Sequence, residues 1–209
     1  MDKIKQIEIF SQQIMQINDD SHSFNHIKRV IKLAKQIMKN YKVDYEVILT
    51  SIYLHDSYDE KIFEDVIKQK QIVQNKLIEL DFSEIKIKKI FSIIDSMSFS
   101  ENLVNKKELD LEGQIVQDSD RLDAIGALGI ARAFYYGGKF GEVMYDKDIL
   151  PRKKLNKEEY REPGTVINHF YEKLLKIKDQ LNTSEAKKIG EKRQRIMLDF
   201  LDDFIDEAN

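Results

Sequence analysis

His55 and Asp56 stand side by side at the end of an apolar run, Val47 to Leu54. His26 lies upstream, and Asp118-Ser119-Asp120 lies downstream. Imidazole nitrogens and carboxylate oxygens from three distant segments are the donors that a hydrolytic metal site uses. Histidine is scarce, four in 209 residues, so two of them in such positions are informative. There is no cysteine. Disulfides and thiolate sites are therefore excluded, and any metal must use imidazole and carboxylate.

Each of these groups also has an ordinary structural role. An acid at the end of a core helix is an unusual core residue, because buried charge needs a partner or a metal. Equally, His55 could face the C-terminal end of the helix dipole while Asp56 caps at the surface. His22 and His26 share a helical face and have the histidine spacing of the zinc-protease motif. The glutamate of that motif would fall at position 23, which is Ser23, so that reading is rejected. Ser21 or Ser23 then caps the helix, His22 falls outside it, and His26 faces the core as a ligand or as a hydrogen-bonded core histidine. Of the acids in Asp118-Ser119-Asp120-Arg121-Leu122-Asp123, helical geometry puts 120 and 123 on one face and 118 elsewhere. Read structurally, they are an acid cluster at a helix N-terminus.

The elements that must hold these groups are helical almost throughout, because apolar residues recur at helical spacing. Ile4, Ile7, Phe10, Ile14 and Ile17 form a first stripe, broken by Asn18-Asp19-Asp20-Ser21. Phe24 to Met38 gives a second helix, and Val43 to Leu54 a third that runs into His55-Asp56. Residues Ile62 to Leu80 and Ile85 to Met97 give two more, and Ser98 to Leu103 a loop. The stretch Asp118 to Tyr136 is crowded with Gly126, Gly129 and four alanines. Each glycine costs a helix about 1 kcal/mol relative to Ala, so a helix that keeps them is expected to sit centrally, with another backbone close by. A polar stretch from Gly137 to Gly164 holds both prolines and reads as a functional loop. Val166 to Leu181 and Ser184 to Ile205 close the fold, with Asn182-Thr183 as the turn and Thr183 or Ser184 as N-cap.

The expected fold is a single all-α domain over residues 1–209, of about eight to ten helices. With 42% hydrophobic and 34% charged residues, the chain has the balance of a soluble globular protein. Its 34 basic and 37 acidic residues give a net charge of −3, which is no footprint for nucleic acid. No apolar run approaches the ~18 residues of a membrane span, and the first residues lack a signal-peptide core. A cytoplasmic protein without a membrane partner is expected.

The residues His26, His55-Asp56 and the Asp of Asp120-Arg121-Leu122 follow the H…HD…D order of the HD-domain phosphohydrolases. The stretches Ile115 to Ala127, Gly129 to Phe134 and His169 to Leu175 resemble a subgroup of small bacterial HD hydrolases, some of which are nucleotide pyrophosphatases. The resemblance runs from about Ser21 to Phe204. It implies a phosphohydrolase acting on a phosphate ester or pyrophosphate bond of a small substrate such as a nucleotide. The alternative is a metal-containing module that senses a nucleotide without turning it over.

The resemblance also implies a ligand set: His26, His55, Asp56 and Asp120, with Asp118 as the fallback. Binuclear relatives supply extra histidines where this chain has Asp95-Ser96-Met97-Ser98-Phe99, so one divalent ion is expected. The mixed nitrogen and oxygen donors suit Mn, Fe, Ni, Co or Mg. His55-Asp56-Ser57-Tyr58-Asp59-Glu60 is similar to the HDxxED variant of hydrolases that cleave alarmone nucleotides. It assigns Asp59 or Glu60, otherwise a solvated turn, to orient or deprotonate the attacking water. Arg29, Lys61, Arg121, Arg132 and His169 are candidates to meet substrate phosphates, and the 137–164 segment is a candidate lid. Homodimerisation is left open.

Overall fold

Side-chain caps set where helices begin in the computed structural model of the chain, which describes residues 2–15, 24–60, 62–97, 108–152 and 164–208. Nine α-helices and no strand occur among the described residues: α1 (Lys3–Met15), α2 (Phe24–Ile37), α3 (Tyr45–Leu54), α4 (Val66–Glu79), α5 (Glu84–Ile94), α6 (Leu111–Asp123), α7 (Ala127–Phe140), α8 (Val166–Glu172) and α9 (Ser184–Ala208). Asp44 accepts from the backbone N–H of Glu46 and Val47 and so starts α3. Asp65 accepts from Lys68 N–H and delays α4 to Val66, later than the apolar pattern from Ile62 suggests. Ser83, Thr165 and Thr183 cap α5, α8 and α9 in the same way. Each such bond satisfies a donor that the helix itself leaves free. The breaks expected at Asn18 to Ser21 and Ser98 to Leu103 lie outside the described residues.

The described residues group into two compact units. The first holds residues up to 97 together with 108–117. At its centre α3 packs against α1, α2 and α5. All eight residues from Val47 to Leu54 are buried. A helix buried on every side is apolar on every side, and this one carries the chain into His55-Asp56. The second unit runs from 118 to 208. There α7 packs against α8 and α9, and Phe134, Phe170, Phe200 and Phe204 form an aromatic cluster with ring centroids 5.7–6.3 Å apart.

Three expectations change. The glycine- and alanine-rich stretch is not one central helix. It is the end of α6, a break at Gly126 (φ +86) and α7. Of α7 only Gly129 and Gly137 are buried, while Tyr135, Tyr136 and Phe140 are exposed. A side chain on Gly129 would strike the carbonyl of Ala124 across the break, so the close approach comes from the chain's own reversal. Second, Asp118, Asp120 and Asp123 do not open a helix. Asp110 accepts from Gly113 N–H at 2.9 Å and starts α6, leaving the three acids in its last two turns. The macrodipole opposes acids there, so other partners must hold them.

Third, the segment after Gly137 is tied down where it is described. Helix α7 continues to Phe140. The carbonyls of Val143 and Met144 accept from Val166 and Ile167 N–H at 3.0 and 3.1 Å. Asn168 donates to the Ile149 carbonyl, and Arg152 grips the Glu172 carboxylate. Residues 153–163 of the expected lid lie outside the described residues. After Glu172 the helix expected to Leu181 gives way to two 3₁₀ turns, because Lys173 leaves helical geometry at φ −135, ψ −61.

Candidate metal centre

His55 is the C-cap residue of α3, and its two ring nitrogens face different tasks. Nδ1 lies 2.8 Å from the carbonyl of Ile52. A carbonyl only accepts, so Nδ1 carries a proton, and in the neutral ring Nε2 is the nitrogen that presents a lone pair. The helix end thus fixes the tautomer, the usual arrangement for a metal-binding imidazole. Nδ1 takes a structural role at the helix end, and Nε2 is left facing His26 and Asp56.

His26, in the first turn of α2, brings its Nε2 to 3.3 Å from the Nε2 of His55. The two rings meet edge to face at 60°. Asp56 Oδ1 lies 3.2 Å from His55 Nε2. The three ligand atoms all fall within 4.8 Å of one another, and His26 and Asp56 are each only 7% exposed. A cation bonded at about 2.1 Å holds neighbouring ligand atoms roughly 3 to 4.2 Å apart. The spacing, the donor types and the fixed lone pair on His55 all fit a divalent ion. These three groups belong to the first unit.

The other predicted residues are placed as follows. Asp59 is half-buried and Glu60 exposed in the turn after Asp56, and Arg29 is half-buried one turn beyond His26 on α2. Lys61 lies outside the described residues, as do His22 and Ser23. In the second unit Asp120 is half-buried on α6. Asp118 is fully buried and accepts four hydrogen bonds at 2.7–2.9 Å, two from Asn182 and two from Thr183. Arg121 is buried and donates to the Gln180 carbonyl at 2.7 Å. Burial works against its charge, with Asp118 and Asp120 opposing that effect. Arg132 pairs with Asp123 at 3.0 Å. On α8, burial and the charge of Lys173 push the His169 imidazole down to about 4, with Glu172 opposing, so it is neutral at pH 7.

Sequence reasoning missed Tyr58, Lys70, Asp95 and the Asn182-Thr183 pair. The last had a signal, since Thr183 was a cap candidate, but nothing pointed to Asp118 as its acceptor.

The HD domain family profile matches residues 23–125, which include all four predicted ligands. A Bacillus thuringiensis HD-superfamily hydrolase is 37% identical, with a TM-score of 0.79 over 99% of this chain and 97% of that one. The chain belongs to the HD superfamily. A Lactobacillus plantarum protein is 39% identical, with a TM-score of 0.88 over 99% of this chain and 96% of the other. Bacillus subtilis YpgQ is 33% identical over 198 residues, 94% of this chain and 89% of YpgQ. The crystal structure of YpgQ in complex with ADP superposes with a TM-score of 0.77 over 98% of this chain and 97% of that one. The HD-type helical fold is thus shared along nearly the whole length of this chain.

Proposed function

We propose that this HD-superfamily chain is a metal-dependent phosphohydrolase that cleaves a phosphate ester or pyrophosphate bond of a nucleotide. The observation that carries the reading is the triad of His26, His55 and Asp56, with one imidazole lone pair already fixed by the Ile52 carbonyl. Asp120 is assigned as the fourth ligand. Asp118 is the weaker choice because Asn182 and Thr183 already occupy its two carboxylate oxygens. Support for a nucleotide comes from YpgQ, which binds ADP in its crystal structure.

A bound Mn, Fe, Ni, Co or Mg ion would supply Lewis acidity, making water a stronger acid and offsetting charge on phosphoryl oxygens. The chain supplies the rest. His26 and His55 would give neutral donors, and Asp56 and Asp120 two negative ones that balance the charge of a divalent ion, so cationic side chains are needed to meet an anionic substrate. Asp59 or Glu60 accepts the proton of the attacking water and orients it. Arg29, Lys61, Arg121 and Arg132 are assigned to the substrate phosphates. His169, uncharged at neutral pH, would contribute a hydrogen bond to the substrate.

The test is a screen of nucleotides and phosphoesters with Mn, Mg, Co and Ni, reading release of phosphate or pyrophosphate. One nucleotide class should be turned over by the parent chain, and Asp56→Ala should abolish turnover while the helical circular-dichroism signal persists. Nucleotide-induced thermal stabilisation with no product after long incubation would replace the hydrolase with a sensing module.

A further inference from the structure

After Leu54 the backbone leaves the helix through short turns, in which the Asp59 carbonyl accepts from Ile62 and Phe63 N–H at 2.9 and 3.0 Å. Ser57 N–H donates to the Leu54 carbonyl at 3.0 Å, while Asp59 N–H reaches the Asp56 carbonyl only at 3.5 Å. The Ser57 hydroxyl is buried without a partner. The residues of greatest chemical interest thus sit on a turn and not within a helix. Tyr58 is the one large side chain in that turn, and it is 7% exposed.

Tyr58 is gripped from two helices. Its hydroxyl donates to Asp95 Oδ1 at 3.0 Å, just past the end of α5. Asp95 Oδ2 accepts from Lys70 Nζ of α4 at 2.6 Å. The Lys70 ammonium lies 5.3 Å from the centroid of the Tyr58 ring and 5.2 Å from that of Phe91. The Tyr58 and Phe91 rings pack at 5.9 Å. The side chains of Lys70 and Asp95 are 39% and 37% exposed. An ion pair that open adds little stability. What it does is fix the Asp95 carboxylate so that its other oxygen meets the Tyr58 hydroxyl. Nothing in the proposed chemistry uses these three residues.

We propose that Tyr58 and Asp95 are positioning residues that set the His55-Asp56 turn, and through its backbone aim Asp56 at the metal and the Asp59-Glu60 pair at the water. This inference rests on the metal site proposed above.

Calorimetric titration with Mn, alongside melting of the metal-free protein, tests it. Tyr58→Phe keeps the ring and its packing and removes only the hydroxyl. Asp95→Ala removes the acceptor, while Asp95→Asn keeps an oxygen that can accept from Tyr58. Tyr58→Phe and Asp95→Ala should each weaken Mn binding by about ten-fold, the scale for groups that orient a metal ligand. The double variant should be no weaker than either single one, because both break the same bond. Asp95→Asn should bind Mn nearly as the parent does. Mn affinities of Tyr58→Phe and Asp95→Ala within about two-fold of the parent, with only the melting temperature lowered, would overturn the positioning role. A parent chain that binds no Mn would overturn the metal site itself, and this inference with it.

Discussion

At the scale of single residues, the nitrogens of His55 carry the account. One is fixed on the helix's own carbonyl and the other is left as a donor beside His26 and Asp56. The order His26, His55-Asp56, Asp120 was legible through its resemblance to the HD pattern, and the structure brings the first three of these residues together. The choice between Asp118 and Asp120 was not legible from geometry alone. Spacing says only that they face different ways, and the partners of Asp118 stand 64 and 65 residues downstream. Tyr58, Lys70 and Asp95 were hidden for the same reason. A tyrosine and an aspartate 37 residues apart have no spacing that reads as a contact.

His169 makes a prediction at this scale. In the folded chain burial and Lys173 push it down to about 4 from an ordinary value of 6.5. Between those values the unfolded chain binds more protons, so stability falls as the pH drops through that window. Glu172 behaves differently. Burial pushes its carboxyl up, but hydrogen bonds from Arg152 outweigh this and hold it below the usual value, so its loss comes at lower pH. Urea-unfolding midpoints measured from pH 6.5 down to 4 should decline less steeply in His169→Gln than in the parent. Parallel declines would show that His169 takes up its proton equally in both states.

At the scale of elements, the helices of the first unit follow the sequence closely because their stripes and caps agree. Asp44, with α3 behind it, is the clearest case. The stretch around α6 and α7 misled because its small residues were read as helix packing, when they serve a sharp reversal at Gly126. Acids in the last turns of α6 run against the dipole, so each needs a partner. Asp118 finds one at the start of α9 and Asp123 finds one in Arg132. Asp118→Asn replaces an acceptor of four bonds by a group with one acceptor oxygen and an NH2 facing donors. It should lower unfolding stability by about 2–3 kcal/mol in urea, the cost of leaving buried donors unmet. Asp120→Asn should cost the metal-free protein less, and should instead remove the rise in melting temperature that Mn produces. The reverse pattern would make Asp118 the ligand.

At the scale of the whole molecule, the all-α character was legible in the helical spacing of apolar residues, and composition gave the absence of cysteine and the small net charge of −3. No helix among the described residues is long and apolar enough to cross a membrane. Composition does not reveal that the described residues form two compact units. A ligand held by the folded chain and not by the unfolded one adds stability in proportion to its saturation, about 2.7 kcal/mol at a hundred times its Kd. The central claim is that His26, His55, Asp56 and Asp120 grip one divalent ion. Titrating chelator-treated protein with Mn in a calorimeter tests it most directly. One Mn per chain, with the heat lost in Asp56→Ala, is the predicted result. No heat above dilution from the parent chain, or equal binding by Asp56→Ala, would contradict it.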